Sequence, residues 1–323
     1  MQRVTLGRTG LPVSPIAFGT WQLGGDWGAF EEQTAIAAIR AAYDRGINFF
    51  DTAQAYGFGA SERILGKALH DVRDSVVLAT KGGVRKTETG RTRDSSPEFL
   101  RAGVEQSLTN LGVEAIDLYQ VHWPDPKTPF EETAGALKEL VDEGKIKHVG
   151  VSNYDAAQMA AFGETLPVET LQPPYHLFRR TAEADILPYA RENDIGVLVY
   201  GPLGHGLLTG ALNASTTFSS DDWRSRHPAF KDDKFVANLA VVDELAKVAT
   251  ELEVTLTQLA TAWTLANPAV QVAIIGTRNA DHITDAIGAA DVRLDADTLA
   301  RIDAITAKGA QIGGSSPEGP TEP

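Results

Sequence analysis

Asp51 and Tyr56 flank a short turn at the end of an apolar run, Phe49-Phe50, that reads as a buried strand stopping at a carboxylate. Similar runs over 76–80, 116–121, 146–151, 168–171 and 196–199 stop at Lys81, His122, Ser152-Asn153, Gln172 and Tyr200. Each residue alone has an ordinary explanation: Asp51 can satisfy turn amides, Lys81 can be solvated, His122 can be a hydrogen-bonded core histidine, and Asn153 can be a turn residue. Polar side chains at six such ends in succession exceed what capping requires. A phenol with an ordinary pKa of about 10 gives up its proton at neutral pH only if that proton is loosened. An adjacent ammonium favours the phenolate, and a carboxylate paired to that ammonium keeps it charged and aimed. Tyr56, Lys81 and Asp51 supply those groups, and His122 can polarise or orient a carbonyl oxygen beside the phenol. The set suits protonation of an oxygen while a cofactor delivers hydride to the carbon.

These strand ends meet only if the fold converges them. From Ile16 onward, strand-like runs alternate with helix-like ones: helical spacing over 31–45, 61–69, 97–111, 130–143, 155–162, 182–193, 235–252 and 256–266 separates eight strands, the last at 270–275. Such alternation predicts a single (β/α)8 TIM barrel, in which the residues past successive strands share one mouth. An open doubly wound sheet is the alternative, but the loop after Ile16 lacks the Gly-x-Gly-x-x-Gly spacing that a dinucleotide fold needs there. Residues 4–6 and 11–13 are expected to form an N-terminal β-hairpin turning at Gly10. A last helix is expected from about Asp295, closing a barrel domain of residues 1–308. Residues 309–323, rich in Gly, Ser, Pro and Glu, are expected to be a disordered tail. The stretch 20–28 reads as a glycine-rich loop carrying Trp21 and Trp27, residues 82–95 as a polar, partly basic loop, and 201–234 as an irregular insertion.

Composition narrows the function classes. A formal net charge of -14 argues against sequence-independent nucleic-acid binding, which needs a basic face. No apolar stretch approaches the roughly 20 residues of a membrane span, and the first residues lack a basic segment leading into an apolar run, so a cytoplasmic protein is expected. The absence of cysteine removes disulfides and thiolate chemistry, and the seven histidines are scattered without metal-ligand spacing. No coiled-coil heptad or apolar stripe indicates an oligomer.

The sequence resembles the aldo-keto reductase family. The resemblance is carried by Phe50-Asp51-Thr52-Ala53, Tyr56-Gly57, Ser61-Glu62, Ala79-Thr80-Lys81, 117–123 ending His122-Trp123, Gly150-Val151-Ser152-Asn153, Gln172, Gly201-Pro202-Leu203, 206–210, and Ile275-Gly276-Thr277-Arg278, spanning roughly residues 3 to 305. It implies a (β/α)8 barrel that binds NADP(H), NAD(H) remaining open, and a catalytic tetrad of Asp51, Tyr56, Lys81 and His122 with Tyr56 as the acid in reduction. It assigns Ser152, Asn153 and Gln172 to the nicotinamide carboxamide and Tyr200 to stacking on the ring. Gly201, Leu203 and Gly206 would wrap the pyrophosphate, and Gly276, Thr277 and Arg278 would hold the adenosine 2′-phosphate. Thr20, Trp21, Asp51 and His282 complete the implied cofactor contacts.

Where many relatives carry Arg or Gln four residues after Arg278 and an acidic-Asn pair beyond it, this chain has His282 and Asp285-Ala286, and His205 is unusual in the pyrophosphate loop. Trp21, Trp27, Tyr56, His122 and Trp123 are the candidate substrate-pocket walls, although Trp27 can equally pack as a surface or core residue. The expected activity is NADPH-dependent reduction of small aldehydes or ketones, sugars included. A cofactor-holding regulatory subunit with little turnover and an NAD-dependent sugar or alcohol dehydrogenase are the alternatives.

Overall fold

The computed structural model describes residues 1–323 apart from Asp26, Ala29, Asp221, 315–318 and 320–323. In chain order the strands are β1 (Val4–Thr5), β2 (Pro12–Val13), β3 (Ile16–Gly19), β4 (Phe49–Asp51), β5 (Val77–Gly82), β6 (Val84–Lys86), β7 (Arg91–Arg93), β8 (Ile116–Val121), β9 (Ile146–Ser152), β10 (Thr170–Gln172), β11 (Gly196–Tyr200) and β12 (Val272–Gly276). Among the described residues, eight of them, β3, β4, β5, β8, β9, β10, β11 and β12, close into a parallel barrel. Closure is made by β12 on β3, with Ala273 opposite Ile16 and Gly276 opposite Gly19. The eight-strand barrel expected from the alternation is the fold.

Alternation of side chains along each strand sorts the core into two layers. Ala17, Phe49, Val77, Ala79, Leu118, Leu198, Val272 and Ile274 fill the barrel interior, and Leu6 and Val13 from the hairpin join that cluster. Phe18, Phe50, Leu78, Tyr119, Val149, Leu171 and Val199 face outward and pack under the helices. The same parity carries Asp51, Lys81 and Tyr200 to the inner side, because each follows an inward residue by two positions. The hairpin β1–β2 seals the other end. Gly7, at φ +47, lies so close to Gly196 that a side chain there would run into the strand's backbone, and the Arg8 amide donates to the Asp194 carbonyl at 2.9 Å.

Several element ends differ from the sequence reading for local reasons. The helix expected over 61–69 begins at Ala60 behind Gly59, and the Ser61 hydroxyl donates to Thr20 at 2.7–3.0 Å. The helix expected over 182–193 shrinks to Ile186–Glu192. Asp185 caps it by accepting the Ile186 amide, and Pro188 sits in its first turn, where a missing N–H is no loss. The loop 82–95 contains the antiparallel pair β6–β7. The final helix runs Ala296–Thr306.

Of the stretch expected to be a disordered tail, residues 309–314 are described and make a few contacts with the barrel. Ile312 is buried and its amide donates to the Phe178 carbonyl, while the Ala310 amide donates to Asn238. The remainder of that tail, Gly319 excepted, lies outside the described residues. Among the described residues no helix is long and apolar enough to cross a membrane.

Candidate active site

The site is built where the inward strand ends meet. Lys81 is fully buried and its ammonium has three N–H donors. They reach Asp51 Oδ1 at 2.6 Å, the Thr52 carbonyl at 2.9 Å and the Tyr56 hydroxyl oxygen at 3.3 Å. Because the phenol oxygen accepts from Lys81, its own proton is directed elsewhere. The ammonium also lies 4.9 Å from the Tyr56 ring centroid, which adds cation–π attraction. Asp51 Oδ2 accepts from Gln172 Nε2 at 2.9 Å, so both carboxylate oxygens are engaged.

His122 follows the last residue of β8 and meets the Tyr56 ring edge-on at 5.7 Å between centroids. Burial, reinforced by the nearby charges of Lys81 and Arg91, holds its imidazole well below the ordinary value, so the ring is neutral. Among the described residues neither ring nitrogen has a hydrogen-bond partner. Such buried orphans point to a ligand atom. One nitrogen of a neutral ring donates and the other accepts, so His122 can offer a hydrogen bond to an oxygen beside Tyr56.

A second chain of contacts ties the neighbouring strand ends together. Ser152 Oγ donates to the Gln172 carbonyl at 2.9 Å. Asn153, in the left-handed region at φ 63, donates from its amide to the His122 carbonyl at 3.0 Å and accepts from the Tyr200 hydroxyl at 2.9 Å. Gln172, Ser152, Asn153 and Tyr200 thus form one network leading back to Asp51.

A cavity of about 690 Å³ opens beside Tyr56. Thr20, Trp21, Trp27, Asp51, Tyr56, Gln172, Tyr200, Gly201, Leu203, Gly206, Gly276, Thr277, Arg278 and His282 all line it. Lys81, Ser152 and Asn153 hold lining residues without lining the cavity themselves, and His122 and Trp123, stacked at 6.3 Å, adjoin Tyr56 outside that lining. Trp27 is therefore a wall residue as well as a packing one: it meets Trp21 at 5.1 Å and Trp223 at 6.2 Å, edge to face.

The donor set fits a nicotinamide dinucleotide. An aromatic face and an amide lie at the Tyr56 end, a glycine loop runs along one wall, and cationic guanidinium groups stand beyond it. The Arg278 guanidinium donates to the Gly28 carbonyl and lies over Phe30 at 5.9 Å. His282 approaches Thr277 Oγ1 at 3.5 Å, and Asp285 accepts from Thr255 and Gln258.

Sequence reasoning missed Arg224, which comes from the insertion and also lines this cavity. Its guanidinium is clamped by Asp222 at 2.6 Å, donates to the His205 carbonyl at 3.2 Å, and lies over Trp27 at 5.1 Å. No motif marks it; only its residue type in an otherwise irregular segment was a signal. Gln22, Thr257, Asn279 and Asp281 were likewise missed. His205 is half-buried against Trp223, Trp21 and His176, at 4.8, 6.3 and 6.3 Å. Burial lowers it to about 3 and pushes His176 well below its ordinary value. A smaller cavity of about 340 Å³ near Tyr175 and Trp263 lies away from these groups, and Arg180, Glu183 and Asp303 in its wall are already paired with one another.

Fold and site together define a barrel oxidoreductase with a phenol, an ammonium and an imidazole at the mouth. Comparison with known proteins agrees: the profile described as Aldo/keto reductase family matches residues 15–307. The chain belongs to the aldo/keto reductase family and is an NAD(P)H-dependent oxidoreductase. It is 45% identical over 282 residues to aldo-keto reductase YhdN of Bacillus subtilis (strain 168), covering 86% of this chain and 85% of that one. The glycerol dehydrogenase AKR11B4 from Gluconobacter oxydans superposes with a TM-score of 0.87 at 41% identity, covering 95% of each chain. An aldo/keto reductase from Klebsiella pneumoniae, solved with NADP and acetate, superposes with a TM-score of 0.77 at 28% identity over 97% of this chain and 98% of that one.

Removing one partner of a dry ion pair strands the other charge. Asp51→Ala should therefore lower unfolding free energy by about 3–5 kcal/mol, whereas Asp51→Leu combined with Lys81→Met should recover most of that loss. Urea denaturation measures both, and a double variant as unstable as the single one contradicts the assignment.

Burial also sets the pH response. His122, His176 and His205 have folded values below the unfolded value near 6.5. Their stabilising contribution is complete above 6.5 and is lost as pH falls toward the folded values, because only the unfolded chain takes up these protons. The two fully buried rings, His122 and His176, together should cost about 2 kcal/mol between pH 6.5 and 5.5. Urea midpoints that stay level across that interval would show that these rings can charge in the folded state.

Proposed function

We propose that the protein reduces small aldehydes or ketones to alcohols with NADPH as hydride source and Tyr56 as proton donor. The single observation that carries this reading is the Lys81 ammonium shared between Asp51 and the Tyr56 oxygen. Overall, a carbonyl compound, NAD(P)H and one proton give an alcohol and NAD(P)⁺. The nicotinamide supplies the hydride to the carbonyl carbon. As negative charge develops on the substrate oxygen, Tyr56 transfers its hydroxyl proton to it, and the resulting phenolate oxygen keeps its hydrogen bond from Lys81. Asp51 keeps the ammonium in place. His122, neutral, orients the same oxygen through a ring N–H. In oxidation the phenolate takes the proton back.

Gln172, Ser152 and Asn153 are assigned to the carboxamide, Tyr200 to the ring face, and Arg278 with Gly276 and Thr277 to the 2′-phosphate. Support for the last assignment is the position of a guanidinium in the cavity wall beyond the glycine loop. A second reading, physiological oxidation of a small polyol, is favoured by the likeness to a glycerol dehydrogenase; the same residues would serve it in reverse.

Tyr56→Phe should reduce kcat for carbonyl reduction by roughly 10²- to 10⁴-fold while leaving the NADPH dissociation constant, read by tryptophan quenching, within about twofold. Retained turnover would remove Tyr56 as the proton donor. Arg278→Gln should weaken NADPH by about 10- to 100-fold, corresponding to a charge-assisted bond, and leave NADH nearly unchanged. An equal loss for the two nucleotides would take Arg278 off the 2′-phosphate.

A further inference from the structure

The hairpin β6–β7 sets Val84 opposite Arg93, Arg85 opposite Thr92 and Lys86 opposite Arg91. Side-chain alternation therefore puts Val84, Lys86, Arg91 and Arg93 on one face and Arg85 on the other. Val84 is buried, so the face that carries the three cations is the one turned toward the protein. Arg85, on the opposite face, pairs with Asp94 and lies over Phe99.

The three cations converge on rings that border the proton donors. The Lys86 ammonium lies 5.4 Å and the Arg91 guanidinium 5.7 Å from the centroid of Phe58, two residues beyond Tyr56. The Arg93 guanidinium lies 5.8 Å from Trp123, whose ring stacks on His122, and donates to the Pro124 carbonyl at 3.3 Å. Among the described residues no carboxylate pairs with Lys86 or Arg93, and Arg93 Nε is buried without a hydrogen-bond partner. The nearest acid in the following loop, Asp125, is occupied by the Ser95 and Lys127 amides and the Thr128 hydroxyl. In a chain of net charge -14 a positive rim here does not follow from composition. The field is felt at the chemistry, since Arg91 is one of the cations that lower His122. The hairpin is also separate from the 690 Å³ cavity, whose described lining includes none of its residues.

We propose that the carbonyl substrate carries an anionic group, a carboxylate or a phosphate, which Lys86 and Arg93 engage while its carbonyl oxygen lies at Tyr56 and His122. This rests on the reading of Tyr56 as proton donor to a carbonyl. Phe58 and Trp123 supply apolar surface beside the cations. Lys86 is exposed, and a single exposed ion pair is weak. The buried Nε of Arg93 and the shared hairpin face add specificity to it. A substrate held this way shows its charge preference mainly in KM, and loses it as salt screens the rim.

The test uses the full-length enzyme, saturating NADPH and two matched pairs: 4-oxobutanoate against its methyl ester, and glyceraldehyde 3-phosphate against glyceraldehyde. The anionic member should be preferred in kcat/KM by about 10- to 100-fold at low salt, with the gap narrowing as KCl is added. The double variant Lys86→Gln, Arg93→Gln should erase that preference by lowering kcat/KM for the anionic members far more than for the neutral ones, and its melting temperature reports any loss from the missing Arg93–Pro124 bond. Preference confined to the first pair assigns a carboxylate, and to the second a phosphate. Equal use of charged and neutral members, or an equal loss on both in the double variant, overturns anion recognition but leaves the reductase reading standing. Absence of turnover on all four compounds with either nucleotide overturns both.

Discussion

A charge pair kept away from water is the constraint on which this structure depends. The Lys81 ammonium and the Asp51 carboxylate are buried at the barrel's inner rim, where an unmatched charge costs several kcal/mol. The pairing of β4 with β5 sets Asp51 opposite Ala79, which leaves Lys81 two residues further along on the same inner side. A slip of one residue in either strand would turn one partner outward into the helix layer and leave the other alone. The ion pair thus penalises every register but the observed one, and the Tyr56 turn, anchored by the Gln54 amide on the Lys81 carbonyl at 2.9 Å, inherits its place from that register.

From this pair the rest of the mouth is reached through short links. Gln172 carries the carboxylate's second oxygen to β10, and Ser152 and Asn153 carry that position to β11 through Tyr200. Strand ends far apart in sequence are therefore held against one another by side chains as well as by the ladder between them. The wall formed by the insertion is organised differently, by a guanidinium stacked among aromatic rings and by histidines that burial keeps neutral. One side of the cavity is a polar hydrogen-bonded network, and the other is aromatic and tied together by the Asp222-clamped Arg224.

The sequence displayed the barrel because its strands are buried on both faces and end abruptly in polar residues, a pattern that survives without knowledge of any contact. The mouth residues followed from the same ends: Asp51, Lys81, His122, Gln172 and Tyr200 needed only correct strand limits. What escaped was set by packing at a distance. Ser61 has the residue type of a cap, yet it bonds across to Thr20, a partner 41 positions away. Strands β6 and β7 are polar and short, so their pairing has no hydrophobic period to announce it. Arg224 owes its place to Trp27 and Asp222, and nothing local in the insertion distinguishes it from Arg226. Ile312 lies in a stretch whose composition suggests no structure, yet its side chain is buried and its amide bonds to the Phe178 carbonyl, a contact that composition does not register.

The three acceptors around Lys81 also govern its own reactivity. A primary amine condenses with an aldehyde through its nitrogen lone pair, and a lysine standing within reach of a carbonyl site is exposed to that side reaction. In Lys81 the nitrogen carries three protons directed at Asp51, Thr52 and Tyr56, so no lone pair faces the incoming compound. The arrangement that aims the phenol thereby keeps the neighbouring amine from imine formation.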